Sequence, residues 1–327
     1  MSSEGGTRAV VAALLANTGI AVMKFLAFAL TGASSMLAEG IHSVADSGNQ
    51  LLLLLGGKRS GRQATKEHPF GFGRERYIYS FLVAIVLFTV GGLFALYEAY
   101  HKAHEVHQGL PNDLLDGRWW WVAVVVLLGA IVMEGLSFRT AIGESNKTRE
   151  GASWWAFIKR AKSPELPVIL LEDFAALIGL VFALLGVCLS KLTANGYFDV
   201  AGTAAIGLLL VSVAVLLGLE TKSLLLGEAA SPDAQRRLRE SLENTAGVER
   251  VIHMRTMHLG PEELLVAVKI GVPRAAQAAD VARSIDAAER AMRLAEPSAR
   301  VIYVEPDIYV EGHLSDPRPE APAPAGH

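Results

Sequence analysis

The sequence predicts an α-helical membrane domain of six spans followed by a small α+β domain, and three observations carry that expectation. The composition is 51% hydrophobic and only 19% charged over 327 residues, the profile of a membrane protein with a sizeable soluble part. Apolar stretches recur near 9–30, 34–55, 77–99, 119–138, 166–190 and 200–219, each close to the roughly 20 residues a spanning helix needs. After about residue 220 the hydropathy falls abruptly, and the remainder alternates helix-like and strand-like runs. The expected division is 1–227 as a six-helix domain, 228–311 as a cytoplasmic dimerisation domain and 312–327 as a disordered Pro-rich tail.

The first span has the look of a signal peptide, but its length and the five further spans argue that it is retained. The second, Ser34 to Leu55, is the most polar. Its Ser35, Glu39, His42, Asp46 and Asn49 follow one another in steps of four, three, four and three, which places all five on one helical face. The loop after it carries Lys58, Arg59, Arg62, Lys66, Arg74 and Arg76, and the loop 139–165 carries a second basic set. The intervening loops are poor in Lys and Arg, so the positive-inside rule puts both termini in the cytoplasm. The expected location is a bacterial inner (plasma) membrane.

The third span is followed by His101, His104 and His107, read as a solvated loop more readily than as a collector of released metal. Trp119, Trp120 and Trp121 open the fourth span at the membrane interface, where Trp is favoured. Glu134, near the end of that span, is expected to pair with a loop Arg or to shape an inner vestibule, the two held about even. In the first span, Asn17 and Lys24 lie seven apart on one face, and packing or snorkelling is the commoner account of such a Lys.

In the soluble part, Ser231-Pro232-Asp233 signals a helix start, with Ser as N-cap and Pro at the first helical position. That helix is expected to reach Ala246, with Gly247 as its stop. Strands follow at Val248–Met257 and Leu264–Val272, then a helix at Ala275–Leu294 and a strand at Arg300–Glu305. An α-β-β-α-β order in about 80 residues gives a small sheet covered by two helices.

The chemistry concentrates in two spans. A charge at bilayer depth costs several kcal/mol, so ionisable groups there face a bundle interior or a watery path. His42 and Asp46, one turn apart, have the spacing to bind one metal ion from one direction. In the fifth span Glu172 and Asp173 are adjacent, about 100° apart around the helix, so one faces the site squarely and the other obliquely. One imidazole and up to three carboxylates suit zinc and leave Fe²⁺, Co²⁺ and Mn²⁺ open. The competing account is an interhelical salt bridge or hydrogen bond that only packs the bundle; these helices carry no intramembrane Lys or Arg beside the site, and carboxylates without a cation would be left unpaired. Cys188 is the single cysteine, which excludes a disulfide framework and a Cys-rich zinc cluster within one chain. A net charge of −3 with no basic, aromatic-interleaved surface gives no sign of a nucleic-acid partner.

The runs Ala38-Glu-Gly-Ile-His-Ser-Val-Ala-Asp-Ser-Gly-Asn-Gln50 and His68-Pro-Phe-Gly-Phe-Gly-Arg-Glu-Arg76 resemble those of the cation diffusion facilitators over about residues 8–310. The resemblance implies proton-coupled export of divalent metals by a homodimer, with six spans and a ferredoxin-like cytoplasmic domain. It assigns His42 and Asp46 as ligands on the second span and Asp173 as one on the fifth. The family's first ligand on the fifth span falls at Ile169, which cannot bind metal, and Glu172 is the obvious substitute. Leu-Leu-Glu-Asp resembles the branch that includes the mitochondrial member of the animal zinc transporters. Phe72 stands where the loop motif usually has another His, which leaves His68 alone. The soluble domain offers His253 and His258 as its strand candidates, too few for the usual metal cluster.

The implied partners are a second copy of the chain, divalent metal ions, protons and membrane lipid, with no cofactor. Two other classes compete. A metal-dependent intramembrane hydrolase lacks the His-Glu-x-x-His signature and any paired nucleophile and base. A membrane-anchored metal sensor sits poorly with the ligand-poor soluble domain.

Overall fold

The computed structural model describes residues 2–31, 34–109, 120–149 and 151–310, with the side chains of 2–6, 27, 28, 30, 31, 34–39, 41 and 42 outside that description. The chain divides into two compact units, Met1–Leu226 and Gly227–His327.

The first unit is helical throughout. Its long helices are α1 (Ser2–Thr31), α2 (Ser34–Ser60), α3 (Glu75–His107), α4 (Trp120–Thr148), α6 (Glu165–Thr193) and α7 (Tyr197–Leu226), with a short α5 (Trp154–Arg160) before α6. Among the described residues five helices are long and apolar enough to cross a membrane. The second, expected as a sixth span, differs in composition rather than length. Its 27 residues extend about 40 Å at 1.5 Å per residue, but the polar stripe lowers its hydropathy. Outward faces carry exposed Val132, Leu136, Leu185, Leu208 and Leu219, a surface suited to hydrocarbon, where helices associate by close packing.

Small residues supply that packing where backbones meet. A Cβ on Gly202 of α7 would lie 2.9 Å from the Phe182 carbonyl oxygen of α6, and one on Gly186 would lie 3.2 Å from the Asp199 Cα. α3 contains a π-helical segment, Leu87–Leu93, where it passes α7. There a Cβ on Gly207 would come 3.0 Å from the Leu96 backbone nitrogen. α6 stops at Ala194, which takes the left-handed conformation at φ 52°. α3 also runs further than hydropathy indicates, through His101, His104 and His107. These three are therefore helical, not loop residues, and two of them pair with the next turn: His101 with Glu105, and His104 with Gln108.

The second unit follows its sequence signals closely. α8 (Pro232–Glu243) is capped by the Ser231 hydroxyl, which accepts from the Ala234 N–H at 3.2 Å. β1 (Arg250–Gly260) and β2 (Glu263–Gly271) pair antiparallel, and β3 (Ala299–Asp307) joins β2 in parallel, in the order β1-β2-β3. The parallel pair requires a crossover, supplied by α9 (Ala278–Ala295), which opens with a Gln277/Asp280 capping box. Along β2, Leu264, Val266, Val268 and Ile270 are buried against Leu238, Leu242, Ala288 and Met292 of the two helices. Alternation at period two places these apolar residues on one face. The tail expected from 312 onward lies outside the described residues.

Candidate metal site

Four helices bring their polar residues to one small cavity of about 60 Å³. Asn17 and Lys24 come from α1, Ser43 and Asp46 from α2, Glu134 from α4, and Glu172 and Asp173 from α6, with Leu87 of α3 beside them. The volume is ample for several waters, which need about 10–15 Å³ each on a probe-sphere measure. Asp46, Glu172 and Asp173, three of the expected ligands, are thus brought together at one cavity. The His42 side chain, the fourth, lies outside the described residues, as does that of Glu39. Among the described residues no three His, Cys, Asp or Glu groups are arranged to hold one ion.

The two adjacent α6 carboxylates differ sharply in environment. Glu172 is tied at both oxygens: Asn49 Nδ2 donates to Oε1 at 2.9 Å and Gln50 Nε2 donates to Oε2 at 3.1 Å. Gln50 in turn accepts from Asn17 Nδ2 at 3.4 Å. In this arrangement Glu172 fastens α2 onto α6. Asp173, 1% exposed, accepts one bond from the Ser137 hydroxyl at its Oδ2, 2.7 Å away. Its Oδ1 is buried without a hydrogen-bond partner. A buried unpaired acceptor costs about 1–3 kcal/mol, more when charged, so of the two α6 carboxylates Asp173 is the one that more requires a cation. Ile169, one turn earlier, is fully buried among apolar residues including Leu166, Leu170 and Leu53. Nothing at that position substitutes for a ligand.

Of the two expectations for Lys24, packing and snorkelling, the structure shows the first. Lys24 is 4% exposed and donates from Nζ to the Ser43 hydroxyl at 2.9 Å, so its ammonium sits in the cavity wall. Glu134 is central in α4 rather than near its end, and it lines the same cavity.

A second cavity of about 310 Å³ lies toward the Ser60 end of α2, lined by Val10, Leu53, Leu54, Lys58, Arg76 and Glu165 among others. Between the two cavities come Ala13, Asn49, Gln50 and Ile169, all at most 1% exposed. Seven residues of helix separate Asp46 from Leu53, about 10 Å of rise. Asn49 and Gln50 therefore belong to a buried layer between two chambers, with their partners Asn17 and Glu172 on its face toward the cavity of about 60 Å³. At the far end, Arg76 reaches Glu165 at 3.4 Å and donates to the Ser60 hydroxyl at 3.0 Å.

The secondary candidates are not assembled into sites. His68 is exposed and packs edge-on against Phe72 at 4.7 Å, with Arg62 over the same ring. His253 and His258 both stand on β1 and form no metal-holding group among the described residues. Sequence reasoning missed Gln50, Ser43 and Ser137. Gln50 had a signal, since it adjoins the polar stripe at the head of a leucine run; the two serines carried none.

Residues 10–226 match the model of the cation efflux transmembrane domain. The chain is similar to the mitochondrial proton-coupled zinc antiporter SLC30A9 of Homo sapiens, 32% identical over 259 residues, which cover 79% of this chain and 44% of that protein. It is also similar to metal tolerance protein C4 of Arabidopsis thaliana, 27% identical over 80% of this chain and 56% of the relative. The magnetosome protein MamM of Paramagnetospirillum magneticum is 25% identical over 84% of this chain and 80% of its own length. The chain spans a little under half the length of the SLC30A9 proteins it matches. These names give no support to a bacterial plasma membrane as the location. Spanning helices, buried carboxylates and the matched domain agree: the chain is an integral, multi-pass membrane protein and belongs to the cation efflux, or cation diffusion facilitator, family.

Proposed function

We propose that this protein is a secondary transporter that moves a divalent metal cation, zinc first, across a membrane in exchange for protons. The observation that carries the reading is Asp173 Oδ1, a buried acceptor without a partner at a cavity shared with Asp46. His42, Asp46 and Asp173 are the ligands in this reading. Glu172 becomes a fourth when the Asn49 and Gln50 amides release it. Metal binding requires neutral imidazole and ionised carboxylates, so ion and protons compete for the same groups. The buried layer between two chambers supports alternating access, with the site opened to one side at a time. The names of the SLC30A9 relatives support zinc and proton coupling.

Six spans, cytoplasmic termini and a homodimer joined through the second unit complete the proposal. The polar α2 counts as the sixth span because the bundle shields its polar face. The test is flux in proteoliposomes holding the purified protein. Zinc movement driven by an imposed pH gradient, with protons moving the opposite way, is expected. Zinc movement indifferent to that gradient overturns the exchange.

A further inference from the structure

Glu134 stands apart from the ligands assigned above, on a helix that contributes none of them. It is 4% exposed, its Oε2 is buried without a hydrogen-bond partner, and it lines the cavity shared with Asp46 and Asp173. A buried carboxylate oxygen without a protein donor is costly at bilayer depth, a cost that an arriving cation removes.

Its height is fixed by Ser137, three residues along the same face of α4, which bonds to Asp173. Three residues are about 4.5 Å of rise. Glu134 is thus about one turn nearer the Trp120 end of α4 than the Asp173 level. The cavity continues in that direction, past Gly179 and Ala183 of α6 and Lys24 of α1. Lys24 lines the same cavity with its Nζ held 2.9 Å from the Ser43 hydroxyl, so an ammonium already stands beside the charge there.

We propose that Glu134 is a second seat for the divalent cation, one turn along the path from Asp46 and Asp173, where the ion is held as it enters or leaves that pair. Lys24 is its tethered competitor. An ion bound at Glu134 takes over the electrostatic role that the ammonium otherwise fills.

The inference rests on the transport reading, and its test separates the two. Zinc flux into proteoliposomes is measured against zinc concentration for wild type, Glu134→Gln, Glu134→Asp and Lys24→Met, with thermal midpoints confirming folding. Glu134→Gln keeps shape and removes charge; a rise of about tenfold in half-saturating zinc is expected, equivalent to 1.4 kcal/mol. Glu134→Asp is expected to recover part of that loss, which a purely packing role does not predict. Unchanged half-saturation in folded Glu134→Gln, or an equal loss in the Gln and Asp variants, overturns the seat. Should Glu134→Gln fail to fold, Lys24→Met decides: a lower half-saturating zinc concentration supports the proposal and an unchanged one overturns it. Absence of zinc flux in wild type defeats the transport reading instead.

Discussion

Ser137 on α4 donates a 2.7 Å hydrogen bond to Asp173 on α6 and leaves the other carboxylate oxygen unpartnered. The bond holds the Asp173 carboxylate in one orientation, with Oδ1 as the group still to be satisfied. In the proposed function Asp173 is a metal ligand, and residues that orient a ligand in this way cost about 10–100-fold in metal affinity when removed. Ser137→Ala is therefore expected to weaken zinc binding by about tenfold, at the lower end of that range, while the protein stays folded. Equilibrium zinc titration checks it.

Glu172 and Asp173 are expected to separate under mutation. Asp173→Asn removes the charge from an unsatisfied oxygen and is expected to abolish flux. Glu172→Gln keeps the side chain in place but sets an amide against the donors of Asn49 or Gln50. It is expected to lower thermal stability by about 1–3 kcal/mol and to raise half-saturating zinc less than Asp173→Asn lowers flux. Flux and melting measured on the same preparations distinguish the pair.

Much of this arrangement is legible in the sequence, for identifiable reasons. Asp46 and Asn49 announce themselves because polarity is expensive in an apolar helix, and their spacing fixes a shared face. Ser231 and the alternation of Leu264, Val266, Val268 and Ile270 rest on local rules that the second unit obeys. Ser137 is illegible because one hydroxyl in a helix satisfies itself equally well on its own backbone, as Thr140 does at 3.0 Å to Leu136. The role of Glu172 depends on which amides approach from another helix, which no local pattern encodes. The true end of α3 is hidden because hydropathy reports where hydrocarbon stops, while the helix continues to His107.

Ala194 ends α6 in a left-handed conformation, which costs an L-residue about 1–2 kcal/mol. Ala194→Gly is expected to raise stability by a fraction of that, about 0.5–1 kcal/mol, after the added freedom of the unfolded chain is subtracted. A higher thermal midpoint with unchanged flux is the outcome to look for.

Gly202→Val is expected to act in the opposite sense. Its first side-chain atom already meets the Phe182 carbonyl, and backbone cannot give way as a side-chain tip does. α6 and α7 must separate, at a cost of about 1–3 kcal/mol, visible as a lower melting point in detergent.

Glu296 gives the second unit an acid sensitivity. Burial raises its pKa, but hydrogen bonds from Ser298 and Arg237 and the Arg237 charge outweigh that, and the net effect is a lowering from 4.5. A carboxylate with a depressed folded pKa contributes stability above its unfolded value and loses it as pH falls through the folded one. The loss is expected below about pH 4.5 and, for a pair screened by solvent on its half-exposed Arg237 side, stays under about 1 kcal/mol. Hydrogen exchange across residues 232–307 between pH 5 and 3 measures it, and Glu296→Gln is expected to flatten the profile.

In the proposed function Asp46 and Asp173 hold the transported ion. Zinc flux by folded Asp46→Ala and Asp173→Asn in proteoliposomes, beside wild type at the same pH gradient, tests it most directly. The account predicts that both variants fall to the level of protein-free vesicles while wild type transports. Wild-type flux in either variant contradicts it.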